Sequence, residues 1–126
     1  MSAIITNAGK TIIANRIKGL GTEPIYFGWG TGTTEPTVLD TDLETPAAEA
    51  RVAGTSAIVT VNVTEDTFQV SGSITSLSDQ EITEWALFDA LVNGNMICRE
   101  VQNPGKSMVT GGILNFTIKF PVNGCS

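Results

Sequence analysis

The stretch AIVTVNVTEDTFQVSGSI, residues 57–74, decides the fold class. Val59, Val61 and Val63 alternate with Thr60, Asn62 and Thr64, which places one set on each face of a strand. Glu65-Asp66 predicts a tight turn. Phe68, Val70, Gly72 and Ile74 then return in step, so residues 57–74 are expected to form a hairpin. β-Branched side chains suit the pleated surface of a sheet and crowd a helix.

The same period of two recurs on either side of this hairpin. Ile25, Phe27 and Trp29 alternate with Tyr26, Gly28 and Gly30. Further on, Trp85, Leu87 and Asp89 alternate with Glu84, Ala86 and Phe88. Asn93-Gly94 is a strong hairpin signal, because a type I′ turn needs positive φ at both central positions. Residues 96–101 are the expected returning strand. Asn103-Pro104-Gly105 predicts another turn, and Gly111-Gly112 a further break. Residues 113–120 close the chain, with Leu114, Phe116, Ile118 and Phe120 facing inward and Asn115, Thr117 and Lys119 outward.

One helix precedes the strands, over residues 7–18. Thr6 or Asn7 caps it by accepting a backbone N–H bond. Ala8, Ile12, Ile13 and Ile17 fall at helical spacing, and Gly19 and Gly21 stop it. The segment 2–21 is too apolar to float and is expected to dock on its own sandwich or on a neighbouring subunit. Residues 31–47 form a long connection with one short helical turn expected over 37–43, ended by Pro46. The expected fold is mainly β: a jelly-roll-like antiparallel β-sandwich of about seven or eight strands with one N-terminal helix. The 126 residues form a single domain, divided into an N-terminal segment with the helix (1–21), a first strand and long loop (22–47) and the sandwich (48–126).

Charge narrows the function. Seven basic residues against thirteen acidic ones give a net charge of −6, which disfavours nucleic acid and anionic membranes as partners. The chain begins without a basic, then apolar, leader, so no signal peptide is expected, and no apolar run is long enough for a membrane helix. Cys98 sits in an apolar run and Cys125 near the end. Two free thiols are expected, although a disulfide between them stays open.

No catalytic constellation emerges. There is no histidine, which removes the commonest general base, the usual triads and most zinc sites. Gly9-Lys10-Thr11 lacks the earlier glycine and the preceding strand of a phosphate loop. Gly28, Gly30 and Gly32 are followed by Thr-Thr-Glu-Pro instead of a helix, so a turn or bulge is the simpler reading. Asp40, Asp42, Glu44 and Glu49 do not match a calcium loop and read as a solvated acidic loop. Glu81, Glu84 and Asp89 offer carboxyl groups, but strand alternation separates Glu84 from Asp89. Two matches to the glycosylation acceptor, at Asn62 and Asn115, are incidental without secretion. The chain is expected not to be an enzyme and to hold no cofactor or metal.

Three segments taken together carry a resemblance. They are the helix and its end (residues 7–21), the run FGWGTGTTEP (27–36) followed by DTDLET (40–45), and EITEWALFDA (81–90) followed by GNMICR (94–99). In this order they resemble small virion structural proteins of tailed bacteriophages. Trp29 and Trp85 are bulkier than is usual at their places in those motifs.

The resemblance implies a capsid cement (decoration) protein on the outer capsid surface, made in the host cytoplasm. Its partners would be the major capsid protein and two further copies of itself in a homotrimer. A tail, baseplate or fibre component is the alternative, and a ligand-binding jelly roll a more distant one. The residues expected at such an interface are Ile4, Ile5, Ile12, Trp29, Leu39, Leu43 and Trp85, with core packing as the competing reading for the two tryptophans.

Overall fold

A computed structural model describes residues 3–122. The chain builds β1 (Ala3–Ile5), α1 (Asn7–Ile17), β2 (Tyr26–Gly30), β3 (Val52–Ala53), β4 (Thr55–Val59), β5 (Thr67–Thr75), β6 (Gln80–Phe88), β7 (Met96–Met108) and β8 (Ile113–Pro121). All pairings are antiparallel. They make a five-stranded sheet, β1-β7-β6-β2-β3, and a three-stranded sheet, β4-β5-β8. The result is the expected β-sandwich with one N-terminal helix.

The core between the sheets gathers around Phe116 of β8. Its ring centroid lies 5.4 Å from Phe27, 5.8 Å from Trp85 and 6.2 Å from Trp29. Val70, Ile74, Ile82 and Leu87 complete it. The chain passes from one sheet to the other at Gly54, whose N–H bonds the Ile25 carbonyl at 2.7 Å. A Cβ there would press on the Phe27 ring and the Ser71 carbonyl, so only glycine fits the crossing.

The N-terminal segment docks on its own sandwich. β1 pairs with the edge of β7, and Ile12 enters the core. Thr6 is the cap: Oγ1 accepts from Gly9 N at 2.9 Å and donates to the Met96 carbonyl at 2.6 Å, tying the helix start to β7. Gly19 and Gly21 follow the helix at φ of 87° and 78°. Ile17, expected on the apolar face, instead points to solvent at 84% exposure. The helix meets the sandwich through its first two turns only.

Several local expectations change. The hairpin over 57–74 forms, but its first strand stops at Val59, and residues 60–66 make an open loop in place of a tight Glu65-Asp66 turn. Asp66 causes this: its carboxylate accepts the N–H groups of Val61, Asn62 and Val63 at 2.9, 2.9 and 3.0 Å. Residues 37–43 hold no helix. Asp40 N bonds the Thr37 carbonyl at 3.2 Å, and the Asp40 carboxylate accepts from Thr37 N and Oγ1 at 3.0 Å each. This side-chain pairing closes a single turn and competes with helix continuation. β7 does not end at Val101. It runs on to Met108, absorbing residues 102–105 in a register shift opposite Ile82 and Glu84, with a cis Asn103–Pro104 peptide. Asn93 and Gly94 take the expected positive φ, 59° and 71°, but within a longer loop, 89–95, in which Asn95 N donates to Asp89 Oδ1 at 2.7 Å and Asp89 N to the Asn95 carbonyl at 3.0 Å.

Candidate functional site

The outer face of the larger sheet, away from the three-stranded sheet, is covered by the loop 31–47. Leu43 packs there against Ala86, Phe88 and Met96. Two charged residues lie beneath the loop. β6 and β7 pair Ala86 with Arg99 and Glu84 with Val101, so Glu84 and Arg99 are diagonal neighbours on this face. Glu84 has no exposed surface and Arg99 only 3%. A face that alternation alone leaves to solvent is roofed by the loop, and the polar side chains on it become internal.

Glu84 is the hub. Its Oε2 accepts from Gly32 N at 2.9 Å and Thr45 N at 2.8 Å, and its Oε1 from Glu44 N and Arg99 Nε at 2.9 Å each. One carboxyl group therefore clips the glycine-rich run to the acidic turn. Arg99 Nη1 reaches Asp40 Oδ2 at 3.0 Å. Nη2 stands 4.0 Å from Glu44 Oε1 and makes no hydrogen bond, so that contact is coulombic only. Glu44 in turn caps Thr33 N and Thr34 N at 2.9 and 3.0 Å and accepts from the Thr34 hydroxyl. Thr83 Oγ1 closes the ring by donating to the Gly32 carbonyl at 2.7 Å.

The two glycines of the Gly30-Thr31-Gly32 run are required by this close approach. A Cβ on Gly30 would collide with the Thr45 carbonyl, and one on Gly32 would lie 2.5 Å from Glu84 Oε2 and 2.6 Å from Glu44.

The electrostatics follow from these bonds. Burial works against ionisation of Asp40, but hydrogen bonds from Thr37 and Arg99 outweigh it and hold its carboxyl below the usual range. The Thr34 hydroxyl and amides do the same for Glu44. Glu49, at the other end of the loop, is also held low: burial raises it, but bonds from Leu77 N, Trp29 Nε1 and Gln80 outweigh that. Arg51 lies 3.4 Å over the Phe88 ring and donates to the carbonyls of Ala90 and Asn93, tying the loop's end to the β6–β7 hairpin. Asp40 and Glu44 are thus not simply a solvated acidic patch. They are the outer wall of an ion-pair network.

The seven expected interface residues scatter. Ile12, Trp29 and Leu43 are buried within the single chain at 6%, 1% and 8% exposure and offer no surface to a partner. Ile4 and Ile5 are half-buried in β1. Trp85 is half-buried, lining a groove of about 420 Å³ between β7 and β8. Leu39 alone stands open, at 77%, on the crest of the loop next to Val38. Leu91 and Val92, exposed at 52% and 72% near the tip of the β6–β7 hairpin, were not anticipated.

Cys98 is a buried free thiol whose pKa is pushed up to about 12 by burial, while Cys125 and any pairing with it lie outside the described residues. Among the described residues no cluster of His, Cys, Asp or Glu is arranged to hold a metal, and no helix is long and apolar enough to cross a membrane.

No protein-family model, curated protein or solved structure matches this chain.

The site therefore rests on its own geometry. A signal for it does exist in the sequence. Glu84 interrupts the apolar run of β6 and Arg99 that of β7, with opposite charges on strands joined by the Asn93-Gly94 turn. Opposite charges inside paired apolar strands mark a buried ion pair. Every carboxyl group in it holds backbone amides or a guanidinium in place.

Proposed function

We propose that this chain is a structural protein of a tailed-bacteriophage particle. In this reading it is a cement (decoration) protein on the outer capsid surface that bridges capsomers of the major capsid protein as a homotrimer, with no reaction to catalyse. The observation that carries the reading is convergence. The glycine-rich run, the acidic turn, the β6 motif and the β7 arginine, most of what carries the resemblance to virion proteins, meet at the single hub of Glu84. The hub rigidifies a loop whose crest exposes Val38 and Leu39. Apolar side chains on a pre-ordered loop lose little entropy on docking, which is what an assembly contact requires. The net charge of −6 suits a protein that stays off the packaged genome.

A cement protein binds a composite site that exists only in the assembled shell, so by linkage it stabilises that state alone. Particles lacking this chain are expected to assemble but to release DNA at lower temperature or under osmotic shock. The test is DNA release against temperature for particles with and without the protein, together with its copy number in purified particles. A copy number matching the capsomers and a shift of the release curve support cement. Identical curves with a handful of copies per particle would place the chain in the tail or fibre, and its absence from particles would sink the virion reading.

A further inference from the structure

The segment AIVTVNVT, residues 57–64, is an uncharged, β-branched run without glycine or proline. Such runs pair with one another when they lie on an open sheet edge. β4 is an edge strand, with β5 as its one neighbour in the sheet. Its ladder nevertheless stops at the Val59–Thr67 pair. Beyond that point the amides of Val61, Asn62 and Val63 turn away from the strand direction and converge on the Asp66 carboxylate. Asp66 also accepts from Thr67 Oγ1 at 2.7 Å, and Thr60 Oγ1 accepts from Glu65 N at 3.0 Å, so the loop is closed by its own side chains. Ile58, Val61 and Val63 remain exposed at 59%, 46% and 66%.

We propose that Asp66 is a latch that keeps β4 short, and that without it residues 57–64 straighten into an edge strand that pairs with a second copy of this chain. The occupant follows from charge and pattern. Two chains of net charge −6 repel in general, but this segment brings no like charges together. Antiparallel pairing of the segment with itself about Val61 sets Val59 opposite Val63 on one face, and Thr60 opposite Asn62 and Ile58 opposite Thr64 on the other, with no charge on either. A strand pair this short falls below the roughly 1,000 Å² of a stable interface, so the association is expected to depend on concentration. Asp66 acts here as a positioning residue: it holds three consecutive amides, and a straightened strand would turn alternate ones of these to its open edge, where an incoming strand bonds. This inference is independent of any role in a phage particle.

The test uses the full chain. In the wild type, hydrogen exchange by NMR is expected to show the Val61, Asn62 and Val63 amides slowed at least about tenfold relative to an unstructured chain, although they lie in an exposed loop. In Asp66→Asn and Asp66→Ser this protection is lost. Sedimentation velocity then shows association beginning at a concentration at least about tenfold lower than any seen for the wild type, and adding Val61→Lys to either variant restores the wild-type profile. Three results would overturn the proposal: unprotected amides in the wild type, folded Asp66 variants that sediment as the wild type does, or association that survives Val61→Lys. Failure of both Asp66 variants to fold would also overturn it, since a latch on an exposed loop leaves the core intact.

Discussion

Glu84 shows what one side chain can organise. It has no exposed surface and takes four hydrogen bonds, three of them from backbone amides of a loop distant in sequence. Removing its carboxylate leaves Arg99 Nε and three loop amides without their acceptor, although Arg99 keeps Asp40 at 3.0 Å, and breaking a buried pair in this way costs about 3–5 kcal/mol. Glu84→Ala is therefore expected to lose about that much stability in urea denaturation and to free the loop 31–47 as well. Replacing both partners also removes the guanidinium whose Nε had lost its acceptor. The double variant Glu84→Ala, Arg99→Met is expected to be less destabilised than the sum of the single variants, a coupling that a double-mutant cycle measures directly. Strictly additive losses would mean that the pair does not act as a unit.

At the scale of elements, α1 is fixed at its start and loose at its end. Thr6 joins it to β7 through two side-chain hydrogen bonds, and the Thr6 amide adds a third to the Ile97 carbonyl at 3.0 Å. Gly9 lets the helix backbone lie directly on that carbonyl, because a Cβ would collide with it. Thr6→Val keeps the shape and removes both side-chain bonds, and is expected to cost about 1–3 kcal/mol. Gly9→Ala raises helix propensity yet is expected to destabilise the protein, because the docking clash outweighs a gain of about 1 kcal/mol. Both changes are read from thermal or urea midpoints, and a more stable Gly9→Ala would refute this account of helix docking.

The loop 31–47 is an element of another kind, held at both ends by carboxylates. Asp40, Glu44 and Glu49 all titrate below their ordinary values in the folded chain. A depressed carboxyl pKa stabilises the fold fully above the unfolded value and loses that contribution as pH falls toward the folded value. The loop is thus expected to be firm at neutral pH and to loosen below about pH 4, where free carboxyl groups protonate. Hydrogen exchange at Thr33 and Thr34, held by Glu44, and at Thr37, held by Asp40, between pH 6 and pH 3, corrected for intrinsic rates, checks this. A loop that loosens on raising the pH would reverse the sign and refute it.

For the whole molecule, the two sheets are unequal, and the N-terminal segment helps to complete the larger one. β1 covers the edge of β7, and Ile12 packs against the core. Deleting residues 1–21 bares that edge and opens the core, so the truncated chain is expected to lose its cooperative thermal transition by circular dichroism. A truncated chain with an unchanged midpoint would show that the segment only decorates the sandwich.

Local pattern was enough for the class of the fold and most of its elements. Period-two alternation placed β2, β5, β6 and β8, and the positive-φ requirement of Asn93-Gly94 placed the β6–β7 turn, because both depend on residues adjacent along the chain. The helix was readable for the same reason, from its Thr6 cap and its closing glycines. The departures all arise from contacts distant in sequence or from a side chain that outbids the backbone ladder. Asp66 stops β4 by taking the amides that the ladder needs. β7 carries on past the Pro104 signal because β6 pairs with it on both sides of the shift. Glu84 is polar in a position that alternation assigns to solvent, and only the folding of residues 31–47 over that face makes it the buried centre of the site. Alternation says which residues share a face, but what covers that face is settled by the path of a loop through space, and local periodicity carries no information about that path.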